Sequence, residues 1–158
     1  MKDLLFLLIL TLLYSCKTAE DHQSRGLSNL ELGNYNEAID DYTKAIKLKP
    51  DYAEAFYSRG NLKDNYGAIA EFIKVMEFKP NYANAYYYRG NSKAKLKDYN
   101  GAIGDYTNAI ELKPDYLDAY LNRASSKKTL GNPFCSDYKK ACELGDSQSC
   151  DWHNADCI

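Results

Sequence analysis

The sequence lacks the residues on which several protein classes depend. Histidine occurs only twice, as His22 and His153, and neither lies in a recognisable nucleophile or metal-binding motif. There is no glycine-rich phosphate loop and no polybasic run, and 20 basic side chains against 22 acidic ones give a net charge of −2. We therefore expect no catalytic site, no cofactor, no metal ion and no nucleic-acid partner.

Long apolar runs are also scarce, and the only one extends from Leu4 to Leu13 with a break at Thr11. As a helix it would span about 15 Å, against roughly 30 Å of bilayer hydrocarbon, which is typical of a signal peptide and too short for a membrane span. The run ends in LYSC, residues 13–16, which resembles the lipobox of bacterial lipoproteins. That resemblance implies a signal peptide over residues 1–15, acyl chains such as palmitate on Cys16, and a lipidated tether over residues 16–18.

The same resemblance implies a location in the bacterial cell envelope. Lys17 follows the cysteine where an inner-membrane retention signal would place aspartate, which favours the outer membrane and leaves its periplasmic or surface face open. An ordinary secretory signal is the alternative, but no A-x-A cleavage pattern is present near residue 16.

The second half of the chain repeats the first. LKPDY occupies residues 48–52 and returns at residues 112–116, and residues 83–116 align with residues 19–52 over 34 positions without a gap. The recurring positions hold a small residue (Gly26, Gly60, Gly90 and Ala124), an alanine (Ala38, Ala68 and Ala102), an aromatic ring (Tyr42, Phe72, Tyr106 and Tyr138) and a proline (Pro50, Pro80 and Pro114). In spacing and side-chain type, the sequence resembles the tetratricopeptide repeat family, with units at 19–52, 53–82, 83–116 and 117–145.

That resemblance implies an all-α fold, an α-solenoid of about four antiparallel helix pairs with a capping helix within residues 146–158. The second unit is four residues shorter than the first and third units, so we expect its first helix to be one turn shorter. Polar residues at the turns are predicted N-caps: Asp51, Asn81 and Asp115 for the first helices, Asn34 and Asp98 for the second helices, and Asn132 and Ser147 for the last two helices.

Each unit also carries an arginine in its first helix and an acid in its second. These residues predict four ion pairs within the units: Arg25 with Asp41, Arg59 with Glu71, Arg89 with Asp105, and Arg123 with Asp137. An anion-binding ladder of arginines is the alternative, and the matching acid in each unit favours the ion pairs.

Four cysteines lie near the C-terminus in the pattern C-x₆-C-x₇-C-x₆-C, which contains no C-x-x-C redox motif. Both Cys142 with Cys150 and Cys135 with Cys157 are symmetric about residue 146, so two antiparallel helices joined there would bring each pair level. A bridge from Cys135 to Cys142 within one helix would span about 10.5 Å, beyond the roughly 7 Å limit between α-carbons. We therefore predict disulfides Cys142–Cys150 and Cys135–Cys157, and the two separate levels argue against a zinc site. The sequence ACELGDSQSC also resembles the junction of Sel1-like repeats.

Most of the fifteen tyrosines match packing positions of the repeat, but Tyr57, Tyr87 and Tyr88 do not. In the tetratricopeptide family the first helices line a concave groove, which implies these partner-binding candidates: Gln23, Leu27, Tyr57, Asn61, Asn84, Tyr87, Tyr88, Asn91, Leu121, Asn122 and Ser125. Tyrosine and asparagine suit peptide recognition, although solvated helix residues are the alternative interpretation. The basic residues with which chaperone-binding relatives clamp a C-terminal carboxylate are absent from the corresponding positions.

These features together predict a non-catalytic scaffold at the cell envelope that binds a protein or peptide partner. The alternative function is a cell-wall-associated or β-lactam-interacting enzyme of the Sel1-like repeat class.

Overall fold

The computed structural model describes residues 17–157, and within this range all regular secondary structure is helical. The predictions for residues 1–16, including lipidation of Cys16, lie outside the described residues. The helices are α1 (Ala19–Glu31), α2 (Tyr35–Leu48), α3 (Ala53–Gly60), α4 (Asn65–Phe78), α5 (Ala83–Lys95), α6 (Tyr99–Leu112), α7 (Leu117–Thr129), α8 (Cys135–Glu143) and α9 (Ser147–Asp156). Between residues 17 and 157, none of these helices is long and apolar enough to cross a membrane.

The chain forms two compact units that meet in sequence between Arg59 and Gly60. In the first unit α1 packs against α2. In the second unit each helix from α4 to α9 packs against the next one along the chain. As predicted, α3 is short, with 8 residues against 13 in α1, α5 and α7.

Glycine allows the helices of a pair to approach closely. A β-carbon added at Gly26 would lie 2.5 Å from Cε1 of Tyr42, and one at Gly90 would lie 2.7 Å from Cε1 of Tyr106. Both rings are almost completely buried, with exposed fractions of 0% and 1%. The recurring glycine and the recurring tyrosine are therefore two halves of one contact.

The predicted ion pairs Arg25–Asp41, Arg89–Asp105 and Arg123–Asp137 are present. In the repeat of residues 53–82, Glu71 also accepts a 2.6 Å bond from Lys63, and Arg59 also donates to Thr43 at 2.9 Å. The paired arginines form part of the helix packing, so the alternative of an arginine ladder for anions does not describe them.

A lysine one turn after the arginine completes these pairs and was not predicted. Lys93 lies 2.9 Å from Asp105, and Lys127 lies 2.8 Å from Asp137. The corresponding position in the first unit is Asn29, whose amide donates to Asp41.

Asp41 has a third neighbour, because His22 lies 3.2 Å from its carboxylate in addition to Arg25 and Asn29. The hydrogen bond from Arg25 lowers the pKa of Asp41 to about 2, so this carboxylate stays ionised at neutral pH although it is buried.

Several predicted N-caps are wrong. The residues before α5 and α7 are Tyr82 and Tyr116 rather than Asn81 and Asp115, and neither tyrosine makes a capping side-chain bond. Asn34 stands at the start of α2 without such a bond, whereas Asp98 caps α6 as predicted. The last two helices start after Phe134 and Asp146, not after Asn132 and Ser147.

The C-terminal hairpin joins α8 to α9 through two disulfides. Cys135 is bonded to Cys157 and Cys142 to Cys150, with α-carbon separations of 5.7 and 4.8 Å. These are the pairs selected in the sequence analysis. Trp152 on α9 packs on Tyr138 of α8, with 5.3 Å between the ring centroids.

Candidate functional site

The candidate site is a cleft of about 680 Å³ in the second unit, built from the end of α3 and from helices α4 to α7. The residues that line it are Gly60, Asn61, Lys63, Asn65, Ala68, Phe72, Tyr88, Asn91, Ser92, Ala94, Lys95, Tyr99, Tyr106, Asn122, Ser125 and Ser126. Amides, hydroxyls and aromatic rings therefore dominate its walls.

Two asparagines and two tyrosines form a hydrogen-bond network along the cleft. The hydroxyl of Tyr106 donates to Oδ1 of Asn91 at 2.9 Å. The amide nitrogen of Asn122 donates to the same oxygen at 2.9 Å and to the hydroxyl of Tyr87 at 3.2 Å. Burial raises the pKa of Tyr106, so its hydroxyl stays protonated and available as a donor.

Aromatic rings form the second feature of the site. Phe72 on α4 stacks on Tyr88 of α5, with centroids 6.1 Å apart. Tyr87 lies against Tyr88 at 5.0 Å and against Tyr116 at 4.8 Å. Because two neighbouring rings contact Tyr87, they restrict the position of the hydroxyl that accepts from Asn122.

The charge of the cleft is positive. Of the residues that line it within the described part of the chain, two are lysines and none is Asp, Glu, His or Cys. Lys63 is bonded to Glu71 at 2.6 Å, whereas Lys95 is exposed on the last turn of α5. The cleft therefore favours a neutral or acidic occupant.

The structure brings five of the eleven predicted partner-binding residues together in the cleft: Asn61, Tyr88, Asn91, Asn122 and Ser125. Tyr87 joins them through its bond to Asn122, and Leu121 packs instead against the buried cluster around Tyr120. Asn84 is half-buried on α5 and does not line the cleft.

The other three predicted residues belong to the first unit. Leu27 is 44% exposed, and Tyr57 is half-buried. Gln23 is a correction, because it is only 8% exposed and its amide donates to the hydroxyl of Ser58 at 3.0 Å. Its side chain connects α1 to α3 and is not presented to a partner.

Sequence reasoning missed several residues of the cleft. Ser92 and Ser126 follow Tyr88 and Asn122 by four positions on the same helices, and each hydroxyl bonds the backbone oxygen four residues before it. Their i+4 spacing would have identified them as neighbours of predicted site residues. Phe72 and Tyr99 lie on second helices, whereas the resemblance to the tetratricopeptide family implies a groove lined by first helices.

Neither histidine lines the cleft. His22 contacts Asp41 and Arg25 in the first unit, and His153 lies on α9. Among residues 17–157, no three His, Cys, Asp or Glu side chains are grouped as metal ligands would be.

Comparisons with known proteins identify the repeats. Residues 26–65 match a family model described as TPR repeat, and residues 83–116 match one described as tetratricopeptide repeat. No curated protein sequence gives a significant match.

Solved structures resemble most of the chain in fold. A crystal structure of MamA is 24% identical with a TM-score of 0.79, covering 88% of this chain and 85% of that chain. The first TPR of Spaghetti (RPAP3), bound to the HSP90 peptide SRMEEVD, is 24% identical with a TM-score of 0.70, covering 73% of this chain and 94% of that chain. The Arabidopsis OM64 TPR domain is 24% identical with a TM-score of 0.67, covering 70% of this chain and 94% of that chain. The chain therefore contains tetratricopeptide repeats, and the predicted fold class, all-α with solenoid-type helix pairs, is confirmed.

Proposed function

We propose that this protein is a non-catalytic interaction scaffold of the bacterial cell envelope, which binds a peptide or protein partner in the cleft of its second unit. The observation that carries the proposal is the cleft itself, about 680 Å³ in volume and lined by aromatic rings, amides and hydroxyls. Such a surface combines apolar contact area with hydrogen-bonding groups that suit a polypeptide.

The structural neighbours support this proposal at the level of the fold. One of them, the first TPR of Spaghetti (RPAP3), is bound to an HSP90 peptide. A helix-pair scaffold with a peptide ligand is thus a precedent for the use of this fold, and the residues of the cleft provide the argument for this chain.

The non-catalytic part of the proposal is supported by the repeat matches, because arrays of such repeats form extended binding surfaces. The alternative is a cell-wall-associated or β-lactam-interacting enzyme. Turnover of a cell-wall fragment or β-lactam by the purified protein, lost on mutating one polar residue of the cleft, would favour that alternative.

We further propose that Cys16 carries lipid and holds the protein on the outer membrane. Each buried methylene of an acyl chain contributes about 0.8 kcal/mol, and more than one chain gives stable anchoring. An anchored scaffold raises the effective concentration of its partner, so that modest affinity in the cleft is sufficient. In this proposal the disulfide-bonded hairpin is a Sel1-like cap, which protects the last repeat at the end of the array.

The binding proposal predicts that photo-crosslinking depends on position. With benzoylphenylalanine at Asn61 or Ser125, both of which line the cleft, irradiation of intact cells should give a covalent adduct to a partner protein. The matched control is Tyr66, which is 74% exposed on α4 but does not line the cleft. Equal adduct yields at Tyr66, or no adduct at Asn61 and Ser125, would contradict the proposed site. Mass spectrometry of the adduct identifies the partner.

The anchoring proposal predicts that Cys16→Ser releases the protein from the membrane. The unaltered protein and a Ser15→Ala control should both partition into the detergent phase of Triton X-114 and fractionate with the outer membrane. The Cys16→Ser protein should lose both properties, because it has no thiol to receive lipid. If it stays in the membrane fraction with unchanged electrophoretic mobility, the lipid anchor is wrong.

A further inference from the structure

We propose that the Asn91–Asn122 pair binds one internal peptide unit of an acidic partner segment in extended conformation, with an adjacent large apolar side chain of that segment on the Phe72–Tyr88 wall. This inference rests on the proposed peptide-binding function and specifies what the cleft recognises.

The hydrogen-bond inventory of the two amides carries the argument. An asparagine side chain has two N–H donors and a carbonyl oxygen with two acceptor sites. The oxygen of Asn91 uses both sites, for Tyr106 and Asn122. The amide nitrogen of Asn122 uses both N–H groups, for Asn91 and Tyr87. The side chain of Asn91 also lies within hydrogen-bonding reach of the Tyr87 hydroxyl, which uses one of its N–H groups. The second N–H of Asn91 and the carbonyl oxygen of Asn122 therefore remain for a ligand.

The remaining donor of Asn91 and the remaining acceptor of Asn122 are complementary to a peptide unit, which presents one C=O acceptor and one N–H donor. If oxygen and nitrogen were exchanged in both amides together, the roles of Asn91 and Asn122 would reverse, but the cleft would still offer one donor and one acceptor. The complementarity therefore does not depend on the direction in which the amides are assigned.

The pair is also pre-organised. The hydroxyl that fixes Asn91 belongs to Tyr106, whose exposed fraction is 1%. The hydroxyl that fixes Asn122 belongs to Tyr87, whose ring contacts the rings of Tyr88 and Tyr116. Groups held in this way lose little conformational freedom when a ligand binds, so their hydrogen bonds contribute more of their strength to affinity.

Charge and position define the rest of the ligand. The described lining of the cleft has no acidic side chain, and Lys95 is exposed at its edge, so acidic side chains on the partner would be attracted. The binding pair is neutral, and it matches an amide better than a terminal carboxylate, which would seek charged donors. The Phe72–Tyr88 stack provides apolar area beside the amides.

The test uses short synthetic peptides with an acetylated N-terminus, an amidated C-terminus and a fluorescein label. One set has Leu, Phe or Tyr flanked by glutamates, and the matched set has lysines in place of the glutamates. Binding to the full chain in detergent micelles is measured by fluorescence anisotropy. We expect the glutamate set to bind more tightly, and Lys95→Gln to reduce that preference.

The decisive step replaces each peptide N–H of the tightest glutamate peptide, one at a time, with an ester oxygen. One ester should lower the affinity about fivefold to tenfold, because it removes the donor to the asparagine pair. In the Asn91→Ala/Asn122→Ala protein the same ester and its parent peptide should bind equally. Asn132→Ala, at an exposed amide outside the cleft, should behave like the unaltered protein.

The outcomes separate this inference from the proposed function. If peptides bind but every ester binds as well as its parent, the backbone recognition is wrong and the scaffold function stands. Tighter binding of the lysine set, or of peptides with a free C-terminal carboxylate, also overturns the inference. If no peptide binds and no adduct forms at Asn61, both proposals fail. Should the double variant not fold, the ester scan on the unaltered protein decides alone.

Discussion

Replacing Asp105 with asparagine should lower the free energy of unfolding by about 3–5 kcal/mol. The carboxylate is 3% exposed, and it receives Arg89 at 2.5 and 2.9 Å and Lys93 at 2.9 Å. The amide has nearly the same volume but no charge, so two cations with exposed fractions of 18% and 23% would lose their counter-ion. Urea denaturation followed by circular dichroism measures the loss.

A matched control and a rescue distinguish this cause from a general loss of packing. Glu77→Gln removes one partner of the Lys74–Glu77 pair, in which both side chains are about half exposed, and should change stability by less than about 0.5 kcal/mol. Adding Arg89→Gln and Lys93→Gln to Asp105→Asn should restore part of the loss, because the unpaired cations are then removed. A loss for Asp105→Asn no larger than that of the control would mean that the buried pair contributes little.

Removing the Cys135–Cys157 disulfide should lower the free energy of unfolding by about 2–4 kcal/mol. The bridge spans 22 positions in the sequence and ties the end of α9 to the start of α8. Helix α9 has only 10 residues and packs mainly against α8, and isolated helices of that length are marginal in water. The Cys135→Ser/Cys157→Ser protein should therefore lose hydrogen-exchange protection first in α9.

The second disulfide provides the comparison. Cys142 and Cys150 are only 8 positions apart in sequence, on either side of the turn. A disulfide that closes a shorter loop removes less entropy from the unfolded chain, so Cys142→Ser/Cys150→Ser should lower the free energy of unfolding by a smaller amount. Helix α4 contains no cysteine, and its amides should exchange at the same rate in both variants. Unchanged protection of α9 after loss of the Cys135–Cys157 bond would show that packing alone holds the hairpin.

The sequence was sufficient to predict the helix pairs because every repeat must bury the same face of its two helices. Gly26 and Gly90 recur since each admits a tyrosine ring that an added β-carbon would strike. The recurrence of an arginine in each first helix and an acid in each second helix also predicted the ion pairs of Asp105 and Asp137. The lysines that join them were missed because one acid was matched to one base, whereas a carboxylate accepts several donors.

Helix starts were predicted less well for a physical reason. The turns before α5 and α7 are closed by backbone bonds, from Tyr82 to Lys79 and from Tyr116 to Lys113, each of 3.1 Å. Asp115 contributes its backbone oxygen to Leu117 and not its carboxylate. A turn that satisfies itself through the backbone does not need a capping side chain, so a polar residue nearby is a weak signal.

The candidate site could be predicted residue by residue but not as an arrangement. Asn91 and Asn122 were both expected in the groove, as separate contacts 31 positions apart. Only the packing of α5 against α7 brings their amides to 2.9 Å, and that packing fixes which atoms remain for a ligand. Gln23 shows the opposite case, because a neighbouring helix covers a residue whose type suggested exposure.

The position of Trp152 gives the protein a built-in optical reporter. It is the only tryptophan in the chain, and its ring packs against Tyr138 within the disulfide-bonded hairpin. Its fluorescence emission therefore follows the last two helices, whereas circular dichroism follows every helix. The difference between the fluorescence and circular dichroism unfolding curves therefore measures how independently the last two helices unfold from the rest of the repeat array.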